Sequence, residues 1–215
     1  MTTCNRVYAW DPGYDHDMPR VKNLRDFVRC LTTDRQRLAL TLDVPSKDAF
    51  ELFCRALWER VLNGENRVVI VVEEAAGVQR SVGQAGEWWS QLLTQSRKFG
   101  GIILATSQRA QEIDKTLFTQ VQNLYVGAHA RKDCAYIARE IDVPEEAIYN
   151  LPIGQFWHKV AGPTPATLVD FDQARNGARR AAAKKNPAKR KKTPAKRKKT
   201  AAKKRPATKK TPPAQ

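Results

Sequence analysis

Val68-Val-Ile-Val-Val-Glu-Glu74 is a run of five β-branched apolar residues closed by two adjacent carboxylates. An unbroken run of this length suits a strand buried on both faces, as in a parallel sheet. About thirty residues later comes Gly101-Ile-Ile-Leu-Ala-Thr-Ser-Gln-Arg109, a second buried-strand signal that ends in neutral hydrogen-bonding groups. Two such strands, one tipped with acids and one with Ser and Gln, set the fold reading for the chain.

Working outward, Arg6-Val-Tyr-Ala-Trp10 reads as a short strand closed by the turn sequence Asp11-Pro12-Gly13. Val21 to Leu31 reads as a helix, and Leu38-Ala-Leu-Thr-Leu42 as another strand. Ser46 suits the N-cap of a helix carrying Phe50, Phe53, Leu57 and Val61 on one stripe. Residues 84–98 fit a helix with Trp88, Trp89, Leu92 and Leu93 inward, stopped by Gly100-Gly101. Asn123–Val126 is a fifth strand, Asp133 to Glu140 a helix, Pro144-Glu-Glu a helix start and Gln155–Val160 a late strand. Strands alternating with helices predict an α/β fold: a mostly parallel sheet with flanking helices. In such sheets ligands lie beyond the C-terminal strand ends, where Glu73, Glu74, Ser107 and Gln108 fall.

A magnesium–nucleotide site needs one carboxylate near the metal and often a second to polarise the attacking water. Glu73 fits the first role, which makes it the candidate metal ligand, and Glu74 the second. The plainer alternative is two acids opening a surface loop. Ser107 and Gln108 supply neutral groups for a water or a γ-phosphate at the next strand tip. Arg97 reads by itself as a solvated cation at a helix C-terminus, where the dipole favours positive charge. Trp88 and Trp89 read as core rather than as a base-stacking platform.

These segments carry a resemblance. Val68–Glu74 resembles a Walker B segment. Gln95-Ser-Arg-Lys-Phe-Gly-Gly-Ile-Ile-Leu-Ala-Thr-Ser-Gln-Arg109 resembles the helix-to-strand segment of the HerA/FtsK superfamily of P-loop ATPases. Within it the chain is most similar to the genome-packaging ATPases of membrane-containing icosahedral phages and prophages. The Arg6–Asp11 strand and Leu151-Pro-Ile-Gly-Gln-Phe-Trp157 add to the match, which covers about residues 5 to 171. Two departures stand out: Glu-Glu where the family usually has Asp-Glu, and Gln108-Arg109-Ala110 where it usually has Gln-Arg-Pro. The resemblance implies an RecA/ASCE-type fold and a homo-oligomeric ring that couples ATP hydrolysis to movement of double-stranded DNA. It implies ATP and Mg²⁺ as cofactors of the complete protein, and a place in the bacterial host cytoplasm or the virion. By the same analogy Gln108 senses the γ-phosphate, Ser107 helps bind the nucleotide, and Arg97 is an arginine finger acting in trans.

One expected part is missing from the sequence. No Gly-x-x-x-x-Gly-Lys-Ser/Thr occurs among the 215 residues. In the resembled family that loop precedes the equivalent of Arg6–Trp10, on a central strand between the equivalents of Ile102–Ala105 and Asn123–Val126. The expectation is therefore an N-terminally incomplete domain with a gap in its sheet, and weak or no ATP binding by this chain alone. A second function class follows: a non-catalytic DNA-binding protein that keeps the scaffold for oligomerisation.

The net charge is +16, but residues 178–215 hold 17 Lys/Arg and no Asp or Glu, leaving a body of net charge −1. The expected division is a P-loop-NTPase-like domain over 1–172 and a basic segment over 173–215. The repeat Ala188-Lys-Arg-Lys-Lys-Thr193 and Ala195-Lys-Arg-Lys-Lys-Thr200 brings Lys189, Arg190, Lys191, Lys192, Lys196, Arg197, Lys198 and Lys199 together. Such Lys/Ala/Pro composition lacks apolar surface to offset chain entropy, which predicts disorder, and it suits nonspecific, histone-H1-like DNA binding. Cys4, Cys30, Cys54 and Cys134 are widely spaced and read as reduced thiols. No apolar stretch is long enough for a transmembrane helix.

Overall fold

The computed structural model describes residues 6–33, 36–64, 67–78, 85–171 and 173. Strands β1 (Arg6–Trp10), β2 (Arg20–Val21), β3 (Arg37–Leu40), β4 (Val68–Val72) and β5 (Gly101–Ala105) form one parallel sheet in the order β2-β3-β1-β4-β5. Three helices, α1 (Leu24–Leu31), α2 (Lys47–Arg60) and α3 (Glu87–Gln95), connect them. The rest of the body holds α4 (Lys115–Gln120), β6 (Asn123–Val126), α5 (Arg131–Ile141), α6 (Glu145–Tyr149), β7 (Gln155–Val160) and β8 (Thr167–Asp170). The expected α/β class is observed. Among the described residues no helix is long and apolar enough to cross a membrane.

The two faces of the parallel sheet are covered differently. Tyr8, Trp10, Leu38, Leu40, Val68, Ile70 and Val72 pack against Phe27, Phe50, Phe53, Leu57, Trp89 and Leu92 of α1, α2 and α3. The aromatic rings interlock: Trp10 lies 5.2 Å from Phe50, Phe27 5.1 Å from Phe53, and Phe50 5.3 Å from Trp89. The other face carries Ala9, Ala39 and Val71 with Val7, Met18 and Val69, and no helix residue joins that cluster.

Several boundaries differ from the sequence expectation. Val21 belongs to the short strand β2, because Asn23 caps α1 by accepting a hydrogen bond from the Asp26 N–H at 2.8 Å. The helix expected over 84–98 ends as α at Gln95 and continues as a 3₁₀ turn, Ser96–Phe99, closed by Gly100 at φ +79°. Gly101 then passes so close to Ser96 that an added Cβ would lie 2.7 Å from the Ser96 Cβ. The start of α3 has no capping side chain of its own. The Glu51 carboxylate of α2 takes that role, accepting from Trp88 N–H at 2.8 Å and Trp89 N–H at 3.3 Å.

The largest corrections concern β5 and β6. β5 was expected to be buried, yet it is the edge of the sheet, with Ile102 40% and Leu104 54% exposed. Its register with β4 sets both side chains on the face that no described helix covers. β6 does not continue the parallel sheet. It opens a separate three-stranded antiparallel sheet, β6-β7-β8. Both strands flanking the expected gap are thus edge strands among the described residues. An apolar, uncharged edge is a template for association. Leu104→Lys is expected to change unfolding stability by no more than about 0.5 kcal/mol while reducing concentration-dependent self-association in size-exclusion chromatography. Val71→Lys, on the same face but only 9% exposed, is expected to unfold the domain in denaturant titrations.

Cys54 is fully buried, and burial pushes its thiol well above the usual range, with the Glu51 carboxylate adding to the shift. Cys30, Cys54 and Cys134 are free thiols, as expected, and Cys4 lies outside the described residues.

Candidate active-site cleft

The C-terminal ends of β1, β4 and β5 are joined in line. Glu73 N–H donates to the Trp10 carbonyl at 3.0 Å, Thr106 N–H to Val72 at 3.0 Å, and Ala75 N–H to Thr106 at 2.8 Å. Beyond them opens a cleft of about 530 Å³ lined by Pro12, Gly13, Asp15, Glu73, Glu74, Thr106, Ser107 and Gln108. The four residues read from the two strand tips, Glu73, Glu74, Ser107 and Gln108, therefore share one cavity.

Their geometry is specific. Glu73 Oε1 lies 2.7 Å from His16 Nε2, and its Oε2 accepts from the Thr106 hydroxyl. Glu74 sits in the left-handed region at φ +51°, uncommon for a residue with a side chain. Its Oε1 accepts from the Ser107 hydroxyl at 3.2 Å and its Oε2 from the Gln108 N–H at 3.2 Å. The two acids are thus tied across to the β5 tip rather than opening a free loop.

The sequence reading missed the third wall. Asp11, fully buried at the end of β1, accepts from Asp15 N–H at 2.8 Å and His16 N–H at 3.3 Å. These two hydrogen bonds fold the Asp11–His16 segment back so that the imidazole reaches Glu73. The available signal was Asp11-Pro12-Gly13 at a strand end, which was read as a turn and nothing more. Thr106, which with Ser107 and Gln108 reads as a neutral donor at this strand tip, is the one that bonds Glu73.

Two candidates are not in the cleft. Arg97 is exposed in the 3₁₀ turn before β5, at the opposite end of the sheet. The five residues of β5 separate it from the cleft by roughly 17 Å at the usual strand rise. Arg109 points to Glu112, 3.1 Å away. Trp89 is core, as expected, with its indole N–H on buried Asp114 at 3.1 Å. Trp88 is only half-buried and lies beneath Arg55, 5.3 Å from the guanidinium carbon. The candidate DNA-contacting residues, Lys189 to Lys192 and Lys196 to Lys199, lie outside the described residues.

The donor set fits a small hard cation: carboxylates and hydroxyls, each carboxylate oxygen retaining a lone pair beyond its described hydrogen bond. Among the described residues no group of three or more His, Cys, Asp or Glu could hold a metal unaided. A magnesium ion here would draw its remaining ligands from water and substrate oxygens, its usual habit.

Comparison with known proteins bears on the fold. The genome-packaging NTPase B204 of Sulfolobus turreted icosahedral virus 2, solved with AMPPCP, superposes with a TM-score of 0.61 at 12% identity, covering 77% of this chain and 82% of that one. The chain has a P-loop-NTPase-like α/β fold. The bacterial conjugative coupling protein TrwBdeltaN70, solved with sulphate, has a TM-score of 0.51 at 16% identity, covering 69% of this chain and 43% of its own. In sequence, Protein P9 of Pseudoalteromonas phage PM2 is 35% identical over 126 residues, 57% of this chain and 56% of P9. The chain thus matches just over half the length of that phage relative. No protein-family model matches the chain.

Proposed function

We propose that the body, residues 1–172, is the ATPase-type module of a DNA-translocating or viral genome-packaging machine, and that residues 173–215 hold DNA. The observation that carries this reading is the bonding of Glu73 and Glu74 at the β4 tip to Thr106, Ser107 and the Gln108 N–H at the β5 tip. Glu73 holds Mg²⁺, with Thr106 and His16 fixing its carboxylate. Glu74 polarises the attacking water, and Gln108 and Ser107 face the γ-phosphate. Arg97, exposed at the far end of β5 and outside its own cleft, acts on a neighbouring subunit of a homo-oligomeric ring. The fold neighbours named as DNA-packaging and conjugative coupling proteins, one of them bound to an ATP analogue, support the assignment.

The cleft offers acids and hydroxyls, and among the described residues no Lys or Arg lines it. Nucleotide phosphates therefore depend on Mg²⁺ for charge neutralisation at this site. This specific feature favours a second reading as well, in which the scaffold serves oligomerisation and the basic segment binds DNA without catalysis. Ligand-observed NMR of ATP with and without Mg²⁺ tests the pair. On the first reading the chain binds ATP weakly, at about millimolar Kd, only with Mg²⁺, and Glu73→Gln weakens this about tenfold, the size expected for loss of a metal ligand's charge. Binding that ignores both Mg²⁺ and Glu73→Gln removes the nucleotide role of the cleft and leaves the second reading.

A further inference from the structure

The antiparallel sheet has one partnered face and one open face. Leu124, Val126 and Trp157 pack on Cys134, Ile137, Ala138 and Ile141 of α5 and Ile148 of α6. Trp157 also donates its indole N–H to the Ala147 carbonyl at 3.2 Å. Strand residues alternate, so the opposite face carries Tyr125 of β6, Phe156 and His158 of β7, and Thr167 of β8. Tyr125 and Phe156 belong to none of the described buried clusters, and Phe171, itself helical, packs on them.

The open face is aromatic. Tyr125 and His158, directly opposite in the register, stack with centroids 4.4 Å apart and planes 7° apart. Phe171, just past β8, touches Tyr125 at 5.5 Å and Phe156 at 4.9 Å. Tyr125 is 47% and Phe171 43% exposed. Gly127 leaves room for this packing, since a Cβ there would lie 3.2 Å from the Phe156 ring. Tyr125 and Phe171 are not in the aromatic core of the body, and their exposure is unexplained by folding.

The strand residues on this face carry no carboxylate and no Lys or Arg. Asp170 pairs with Gln155 on the other face. The sequence following Phe171 soon enters the segment with 17 Lys/Arg and no acid. Flat rings without carboxylates, in a chain that concentrates phosphate-binding charge, fit an unstacked base: every base has a π face, while a duplex keeps its bases stacked on each other. Asn123 Oδ1 and His158 Nε2 satisfy each other at 3.0 Å. The choice of DNA over RNA rests on the reading proposed above, in which residues 173–215 hold DNA.

We propose that this face binds single-stranded DNA, stacking one or two bases on Tyr125 and Phe171. The site is independent of the carboxylate cleft and stands whether or not the chain handles nucleotides.

The test uses the full chain and a fluorescein-labelled oligo(dT) 15-mer in anisotropy titrations at about 0.3 M salt, where purely electrostatic binding has largely gone. Tyr125→Ala and Phe171→Ala are each expected to lower affinity for the single strand about tenfold, the usual scale for one stacked base. Tyr125→Phe, which keeps the ring, is expected to retain wild-type affinity, and a duplex 15-mer to respond to none of the three. A 2-aminopurine-containing strand should be quenched by wild type and less by Tyr125→Ala. Equal losses on single strand and duplex, no loss on either, tighter binding of oligo(rU), or no single-strand binding by wild type at this salt each overturns the proposal. Thermal melts of the variants separate a lost stack from a lost fold, and Tyr125→Phe rescue decides if both change.

Discussion

Removal of residues 178–215 is expected to lower affinity for duplex DNA by about a thousandfold at about 50 mM salt. The segment concentrates 17 positive charges, and the rest of the chain is close to neutral at −1. Binding of this kind is driven by release of counterions from the phosphates. If about half the cations engage phosphates, log K for the full chain falls against log salt with a slope near −8, from about −0.9 per phosphate contact. The truncated body should show a slope near zero. The segment has no aromatic residue, so the full chain should not distinguish duplex sequences. Salt-dependent anisotropy titrations of both chains on a duplex measure all of this. A truncated body that binds duplex as tightly as the full chain would show that DNA is held by the folded domain, and the assignment of 173–215 would fall.

The second large effect is in the aromatic core. Phe53 is fully buried on α2, with its ring 5.1 Å from Phe27, 5.7 Å from Trp10 and 6.1 Å from Phe50. Phe53→Ala should destabilise the body by about 4 kcal/mol, the lost transfer free energy plus a cavity that three rigid neighbours cannot close. That is a large share of the roughly 5–15 kcal/mol available to a domain. Leu52, one residue away and 47% exposed, provides the control; Leu52→Ala should cost no more than about 1 kcal/mol. Guanidinium titrations with unchanged slopes report both. A Phe53→Ala cost under about 1.5 kcal/mol would mean that the ring cluster is loosely packed. The effect should extend to the cleft, since the Trp10 ring rests on Phe53 and its carbonyl receives the Glu73 N–H at 3.0 Å.

The parts of the cleft that were legible in sequence share one property: they follow directly on a strand. Glu73 and Glu74 come next after Val72, and Ser107 and Gln108 come shortly after Ala105, so finding the strand ends located them. His16 has no such address. It lies six residues beyond β1, in a loop with no periodicity, and reaches Glu73 only because buried Asp11 binds two N–H groups of that loop. Trp88 and Trp89 show the same limit on a helix. Adjacent side chains point about 100° apart, so one entered the core and the other remained at the rim beside Arg55.

The sequence by itself located the strands that are continuous apolar runs, such as Val68–Val72, because such a run suits an extended, buried segment, while the two-residue β2 and Thr167–Asp170 of β8 carried no such signal. It also determined the separation of a near-neutral body from a basic end, since charge is additive along the chain. Tertiary structure alone decided which strands are neighbours. Hydropathy records that Ile102 and Leu104 favour burial but not whether a strand or helix arrives to cover them, and none of the described ones does. Likewise, the stack of Tyr125 on His158 exists only because β6 and β7 pair in one register. A shift by one residue would turn either ring to the helix side.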